Sequence, residues 1–120
     1  VAPLDEILAA RGIDRVDVMK VDVEGSEHDV IAGARHTITR DRPTLIIELA
    51  GAALAPGHAG RASIETFLGS LDYRYAAIDG EAAALRPVTD LTASAENLVA
   101  ARADVLAGLL RDMTSPDAVA

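Results

Sequence analysis

Apolar positions along the chain switch between two periods. Leu4, Ile7 and Leu8 recur at helical spacing and predict a helix near Leu4–Ala10 with these three as its buried stripe. Pro3 suits a first helical position, and Asp5 and Glu6 complement the positive end of the helix dipole. Gly12 is placed to end the helix in the left-handed conformation, with Ile13 folding back on it. Val16–Val23 (VDVMKVDV) is short and β-branched, with apolar residues on both faces, and reads as a strand covered on two sides. Ser26 is a candidate N-cap, and Asp29 three residues on approximates a capping box. The helix predicted from there to about Arg35 buries Val30, Ile31 and Ala34, and Pro43 closes the connection.

Thr44–Leu49 (TLIIEL) is a second near-continuous apolar strand. Ala50–Arg61, rich in Gly and Ala and containing Pro56, reads as a loop, with Ser63 capping the helix that follows. That helix has the stripe Ile64, Phe67, Leu68 and Leu71. A strand over Arg74–Ile78 then turns at Asp79-Gly80 into a hairpin partner at Ala82–Leu85. Asn97–Ala101 is a last short strand and Ala103–Met113 a terminal helix. This organisation predicts one domain over residues 1–113 and a flexible tail over 114–120. Buried strands alternating with amphipathic helices imply an α/β fold whose sheet is mostly parallel, with a late antiparallel strand.

Composition narrows the functions open to such a domain. Rings are few, so Val, Ile, Leu and Ala must build the core around Phe67, Tyr73 and Tyr75. The net charge of −8 leaves no basic face for nucleic acid and none for an anionic membrane surface. Without cysteine there is neither a disulfide framework nor a thiolate metal site, which fits a cytoplasmic protein. No apolar run of membrane-spanning length occurs, and the opening residues lack a signal-peptide pattern. Because the sequence opens almost directly on a helical pattern, an N-terminal truncation is expected.

Charge at two strand ends departs from the apolar pattern. Lys20, Asp22 and Glu24 are spaced by two and share one face if the strand continues that far. Ionised groups in a buried strand are unfavourable unless paired or facing a cleft, and ligands of open α/β sheets bind beyond the carboxyl ends of the strands. Gly25 permits a sharp turn, and Ser26 opens a helix whose amides face the same cleft. Glu48 ends the second strand and approaches this cluster if the two strands are neighbours. A plainer account stays open: Lys20 and Asp22 as an ion pair at a sheet edge, Glu24 and Glu27 as complements to a helix N-terminus. His28, His36 and His58 read as surface or helix-end residues, and Arg35, Arg40 and Arg42 as a solvated basic patch.

Several strings together are similar to the FkbM methyltransferase signature. They are Leu4-Asp5, Lys20-Val21-Asp22-Val23-Glu24-Gly25-Ser26-Glu27, Gly33-Ala34, Arg42-Pro43, Leu45-Ile46-Ile47-Glu48-Leu49, Leu71-Asp72-Tyr73 and Asn97-Leu98-Val99-Ala100. The resemblance covers residues 3 to about 101 and implies the C-terminal half of a Rossmann-like class I domain. It implies methyl transfer from S-adenosylmethionine (SAM) to a hydroxyl of a sugar, glycan or natural product.

The family's upstream glycine loop, which grips SAM, has no counterpart among the nine glycines here, so weak or no SAM binding by this chain is expected. An unpaired edge on the Val16–Val23 strand would follow, with self-association through it. On this resemblance Asp22 is the expected acceptor-side base or hard-cation ligand. Glu24 and Glu48 would be further ligands or substrate anchors, and Lys20 would neutralise Asp22 or stabilise a developing alkoxide. Asp22 and Glu24 are oxygen donors suited to Mg²⁺. The alternative reading is a non-catalytic remnant or interaction module built on the same half-sheet.

Overall fold

The computed structural model describes residues 2–22, 27–48, 59–80, 84–91 and 97–114. Ten elements follow in chain order: α1 (Leu4–Ala10), β1 (Val18–Val21), α2 (Glu27–Gly33), α3 (Arg35–Asp41), β2 (Thr44–Glu48), α4 (Ala59–Ser70), β3 (Tyr73–Asp79), β4 (Ala84–Val88), β5 (Asn97–Arg102) and α5 (Ala103–Thr114). The five strands form one sheet in the order β1-β2-β5-β3-β4.

The expected α/β class holds, but the mostly parallel sheet does not. Only β1 and β2 pair in parallel; β2–β5, β5–β3 and β3–β4 are antiparallel. Strand–helix alternation does set β1, β2 and β3 running the same way, as crossover geometry requires. The last strand then enters between β2 and β3 and reverses every pairing it makes. A local pattern cannot announce this, because Asn97–Arg102 has two partners that are both remote in sequence.

Side chains alternate between two faces. Met19, Val21, Leu45, Ile47, Leu98, Ala100, Tyr73 and Tyr75 pack against Ile31, Ala34, Ile38, Ile64, Phe67, Leu68 and Leu71 from α2, α3 and α4. The stripe on α4 is as its spacing predicts. On the other face Ala76, Val99 and Ala101 pack against Leu106, with Val105, Leu109 and Leu110 of α5 beside them. That second layer lies over the β3–β4–β5 side. Toward β1 the same face opens, and Val18 is 61% exposed. The expected two-sided cover of the first strand is therefore corrected: its burial alternates, with Met19 and Val21 in and Val18 and Lys20 out. β1 is also an edge strand, so the expectation of a free flank agrees with the strand order.

Boundaries shift for identifiable reasons. The first helix spans the expected residues and ends at Gly12 with φ +69°, and the Ile13 amide donates to the Leu8 carbonyl. Its stripe is not buried, however; Ile7 is exposed, and Leu4 and Leu8 are half-buried. The second predicted helix breaks at Ala34, and α3 beyond it was not expected, since RHTITRD carries two β-branched Thr and no strong helix former apart from its Arg residues.

A remote side chain supplies the missing signal for α3. The Asp5 carboxylate accepts hydrogen bonds from the His36 amide (2.9 Å), the Thr37 amide (3.0 Å) and the Thr37 hydroxyl (2.6 Å). It caps the N-terminus of α3 rather than that of its own helix. Gly33 lets the two segments approach closely, since a Cβ there would lie a tight 3.3 Å from Pro3. The Leu4-Asp5 and Gly33-Ala34 strings are thus two sides of one helix junction.

At the far end of α3, Asp41 Oδ2 accepts from the Val16 amide (2.9 Å), Arg40 pairs with the same carboxylate, and the Tyr73 hydroxyl donates to the Pro43 carbonyl (2.5 Å). Burial pushes the Tyr73 hydroxyl up to about 12. Ser63 falls inside α4, which begins at Ala59, so its expected capping role is overturned. The hairpin into β4 is present, but Asp79 pairs with Ala84, so the expected two-residue Asp79-Gly80 turn is overturned and the partner strand starts at Ala84 rather than Ala82. Ser26 and residues 115–120 lie outside the described residues.

Replacing Asp5 with Ala should destabilise the fold by about 0.5–2 kcal/mol in urea titration, the range for losing a helix cap, while Glu6→Ala should do little. Acid should act through Asp41. Its hydrogen bond to Arg40 leads the causes that lower its carboxyl from 3.8 to about 2. The stability it contributes is present above 3.8 and is lost as pH falls through about 2. Asp41→Asn should flatten that acid limb of the unfolding midpoint.

Candidate functional site

The register orients everything at the carboxyl edge of the parallel pair. Val21 lies opposite Ile47, so one residue further Asp22 falls beside Glu48. Lys20 lies opposite Ile46, one step below Glu48 on the same face. The condition that the two strands be neighbours is met, and Lys20, Asp22 and Glu48 share the face that α5 leaves open toward β1. Lys20 and Asp22 are exposed and Glu48 is half-buried. Glu48 is also opposite Asn97, the first residue of β5. Glu24 lies outside the described residues, as does His58.

Exposure removes the desolvation argument for Lys20 and Asp22. Neither has to be paired to be tolerated, and no ion pair joins them among the described residues. The plainer reading of these two as a sheet-edge ion pair is therefore not what the structure shows. They present a cation and a carboxylate to solvent at a strand end, beside a second carboxylate.

Sequence reasoning passed over the buried charges at this edge. Glu27 opens α2 and is fully buried, and Arg61 in the first turn of α4 is 5% exposed. Both sit on the sheet-facing stripes of their helices, Glu27 in line with Ile31 and Ala34, Arg61 with Ile64 and Leu68. Helical spacing carries the signal, but a loop over Ala50–Arg61 leaves the arginine outside any stripe, and Glu27 read as a complement to a helix N-terminus carries no expectation of burial. The remaining candidates are structural or peripheral. His36 serves Asp5, through its amide and a Coulombic attraction, and His28 lies 3.7 Å from the exposed Asp29. Arg40 is held by Asp41, and Arg35 stacks 4.4 Å above the Phe67 ring.

For a metal, the described residues hold no cluster of three or more acidic or imidazole ligands. Asp22 and Glu48, one residue past the last paired position of each strand, are two carboxylates, a number with which Mg²⁺ is bound when water completes its shell. For a nucleoside cofactor the fit is poorer. Among the described residues no glycine-rich turn follows a strand to bring consecutive amides to one point, so no described residue is assigned to SAM.

The chain was compared with protein families, curated proteins and solved structures. A family model described as the methyltransferase FkbM domain matches residues 1–75. The chain belongs to the FkbM methyltransferase family. The matched residues are the N-terminal part of this chain and include α1, β1, β2 and α4; the Asn97–Ala100 string lies beyond them. No curated protein and no solved structure matches. The mixed five-stranded sheet is compatible with a methyltransferase-like fold. No helix among the described residues is long and apolar enough to cross a membrane.

These placements separate function from stability. Lys20→Ala and Asp22→Ala should each leave the unfolding free energy within about 0.5 kcal/mol, as exposed positions do. Glu27→Ala, which empties a buried polar position, should lower it by about 1–3 kcal/mol in the same titration.

Proposed function

We propose that the protein is a SAM-dependent O-methyltransferase whose acceptor hydroxyl is received at the carboxyl edge of β1 and β2. The observation that carries this reading is the parallel pairing of β1 with β2 up to Val21 and Ile47, in a chain of the FkbM family; one residue beyond it on each strand come Asp22 and Glu48. SAM supplies the methyl group. The chain's own residues act on the acceptor.

An alcohol must lose its proton as the new C–O bond forms, and a carboxylate within hydrogen-bond reach is the group to take it. Asp22 has that role, exposed at the strand end where an incoming hydroxyl meets it first. Glu48, half-buried and opposite Asn97, is the more fixed of the two and anchors the acceptor or shares a hard cation such as Mg²⁺ with Asp22. Lys20 contributes positive charge one step below and favours an alkoxide over a neutral alcohol. Glu24 belongs to the same string of the signature and is retained as a further ligand. A sugar, glycan or small natural product fits an open edge of this kind, because the acidic, exposed surface places hydrogen-bonding groups where polyhydroxylated molecules present theirs.

Transfer of radiolabelled methyl from SAM to a panel of sugar and natural-product alcohols tests the reading. Asp22→Ala should lower the rate by about 10²–10⁴-fold, the usual contribution of a general base, with Lys20→Ala lowering it less. Full activity in the Asp22 variant would remove that residue from the mechanism. The same panel with no labelled product, at SAM concentrations that calorimetric titration shows to saturate the protein, would favour the non-catalytic alternative.

A further inference from the structure

We propose that Arg61 is the anchor for an oxyanion, a carboxylate or phosphate, carried by the methyl acceptor; this rests on the transferase reading above. Three observations lead to it. Arg61 is 95% withdrawn from solvent, yet its Nε has no hydrogen-bond partner and the residue makes no ion pair among the described residues. It lies in the first turn of α4, a helix of 12 residues whose free amides and dipole favour negative charge. That turn sits at the carboxyl edge of the sheet: α4 ends at Ser70, next to the start of β3 at Tyr73, and Tyr73 is opposite Arg102, the far end of β5 from Asn97 and Glu48. A helix of this length therefore has its other end at the edge that holds Glu48 and Asp22.

The physical case turns on what a guanidinium cannot do. A buried lysine sheds its charge by losing a proton, whereas arginine stays protonated at any pH a protein survives. A buried arginine thus needs a compensating anion. In a chain of net charge −8 carboxylates are plentiful, so the lack of a carboxylate partner for this cation among the described residues is specific to the site. The planar fork of five N–H donors matches a carboxylate or phosphate in two parallel hydrogen bonds. An acceptor held by such a group would reach over the strand ends from the α4 face to present its hydroxyl to Asp22 on the other face. A neutral analogue would leave the guanidinium uncompensated and be rejected.

The test follows the Arg61 Nε–Hε resonance of the ¹⁵N-labelled protein, assigned by its loss in Arg61→Gln, at constant ionic strength. Inorganic phosphate, acetate and S-adenosylhomocysteine are titrated separately. Phosphate or acetate should shift the resonance saturably, and whichever binds tighter identifies the acceptor's anion. The same anion should raise the Tm of the parent protein and leave that of Arg61→Gln unmoved, with Arg61→Lys keeping part of the response. Without anion, Arg61→Gln should melt at or above the parent, since an uncompensated cation has been removed.

No saturable shift with phosphate or acetate overturns the proposal, as does a response to S-adenosylhomocysteine alone, which would make the cofactor's carboxylate the partner. An Arg61→Gln variant that melts well below the parent, or does not fold, shows a structural cation and overturns it too. Anion binding at Arg61 with no methyl transfer counts against the transferase reading alone. Transfer with no anion response counts against Arg61 alone.

Discussion

Strand β5 carries the hydrogen bonds that make two half-sheets into one. On one side lies the parallel pair β1–β2 with the helices that follow each strand; on the other lies the β3–β4 hairpin. Asn97–Arg102 pairs with both, and its inner residues Leu98, Val99, Ala100 and Ala101 are all buried. Alternation along this one strand feeds both cores. Leu98 and Ala100 join the layer under α2, α3 and α4, while Val99 and Ala101 meet Leu106 of α5. Remove it and β2 has an open edge, Tyr73 loses its opposite residue, and α5 has nothing to cover. The family match ends at residue 75, ahead of this strand, so the element that closes the sheet lies outside the matched residues.

The second constraint is local and holds the parallel pair in place. α1 docks on α2 through the glycine at position 33, and its Asp5 caps α3. Burial alone would raise the Asp5 carboxyl, but the Thr37 hydroxyl, the His36 and Thr37 amides and the His36 charge together hold it below the ordinary range. At the other end of α3, Asp41 ties the chain entering β1, and Tyr73 ties the chain entering β2. These bonds fix the lower ends of both strands.

What could be read from the sequence follows from how far each signal reaches. The α4 stripe and the span of the first helix are written in residues a few positions apart, and they appear where expected; the hairpin also forms, but Asp79 pairs with Ala84, so its connection is longer than the two-residue Asp79-Gly80 turn. α3 was missed because its stabilising residue lies about thirty positions away. The parallel sheet was overstated because nothing in Asn97–Arg102 says which strands it will separate. At the site, the spacing of Lys20 and Asp22 and the position of Glu48 placed three charges on one face. Burial was misjudged: Lys20 and Asp22 are open to water, and the deeply buried charges are Glu27 and Arg61. A charge in an apolar string invites attention, whereas an arginine in the first turn of a helix, three residues before Ile64, looks like a loop residue until the helix start is known.

The central claim is that Asp22 and Glu48 work as one unit on the acceptor. A double-mutant cycle on methyl transfer, with Asp22→Ala, Glu48→Ala and the pair together, measures that directly. Carboxylates that share a substrate or a cation should be coupled by more than about 0.5 kcal/mol, so that the second substitution has a smaller effect once the first is made. Effects that add to within about 0.3 kcal/mol would show two independent residues and contradict the account.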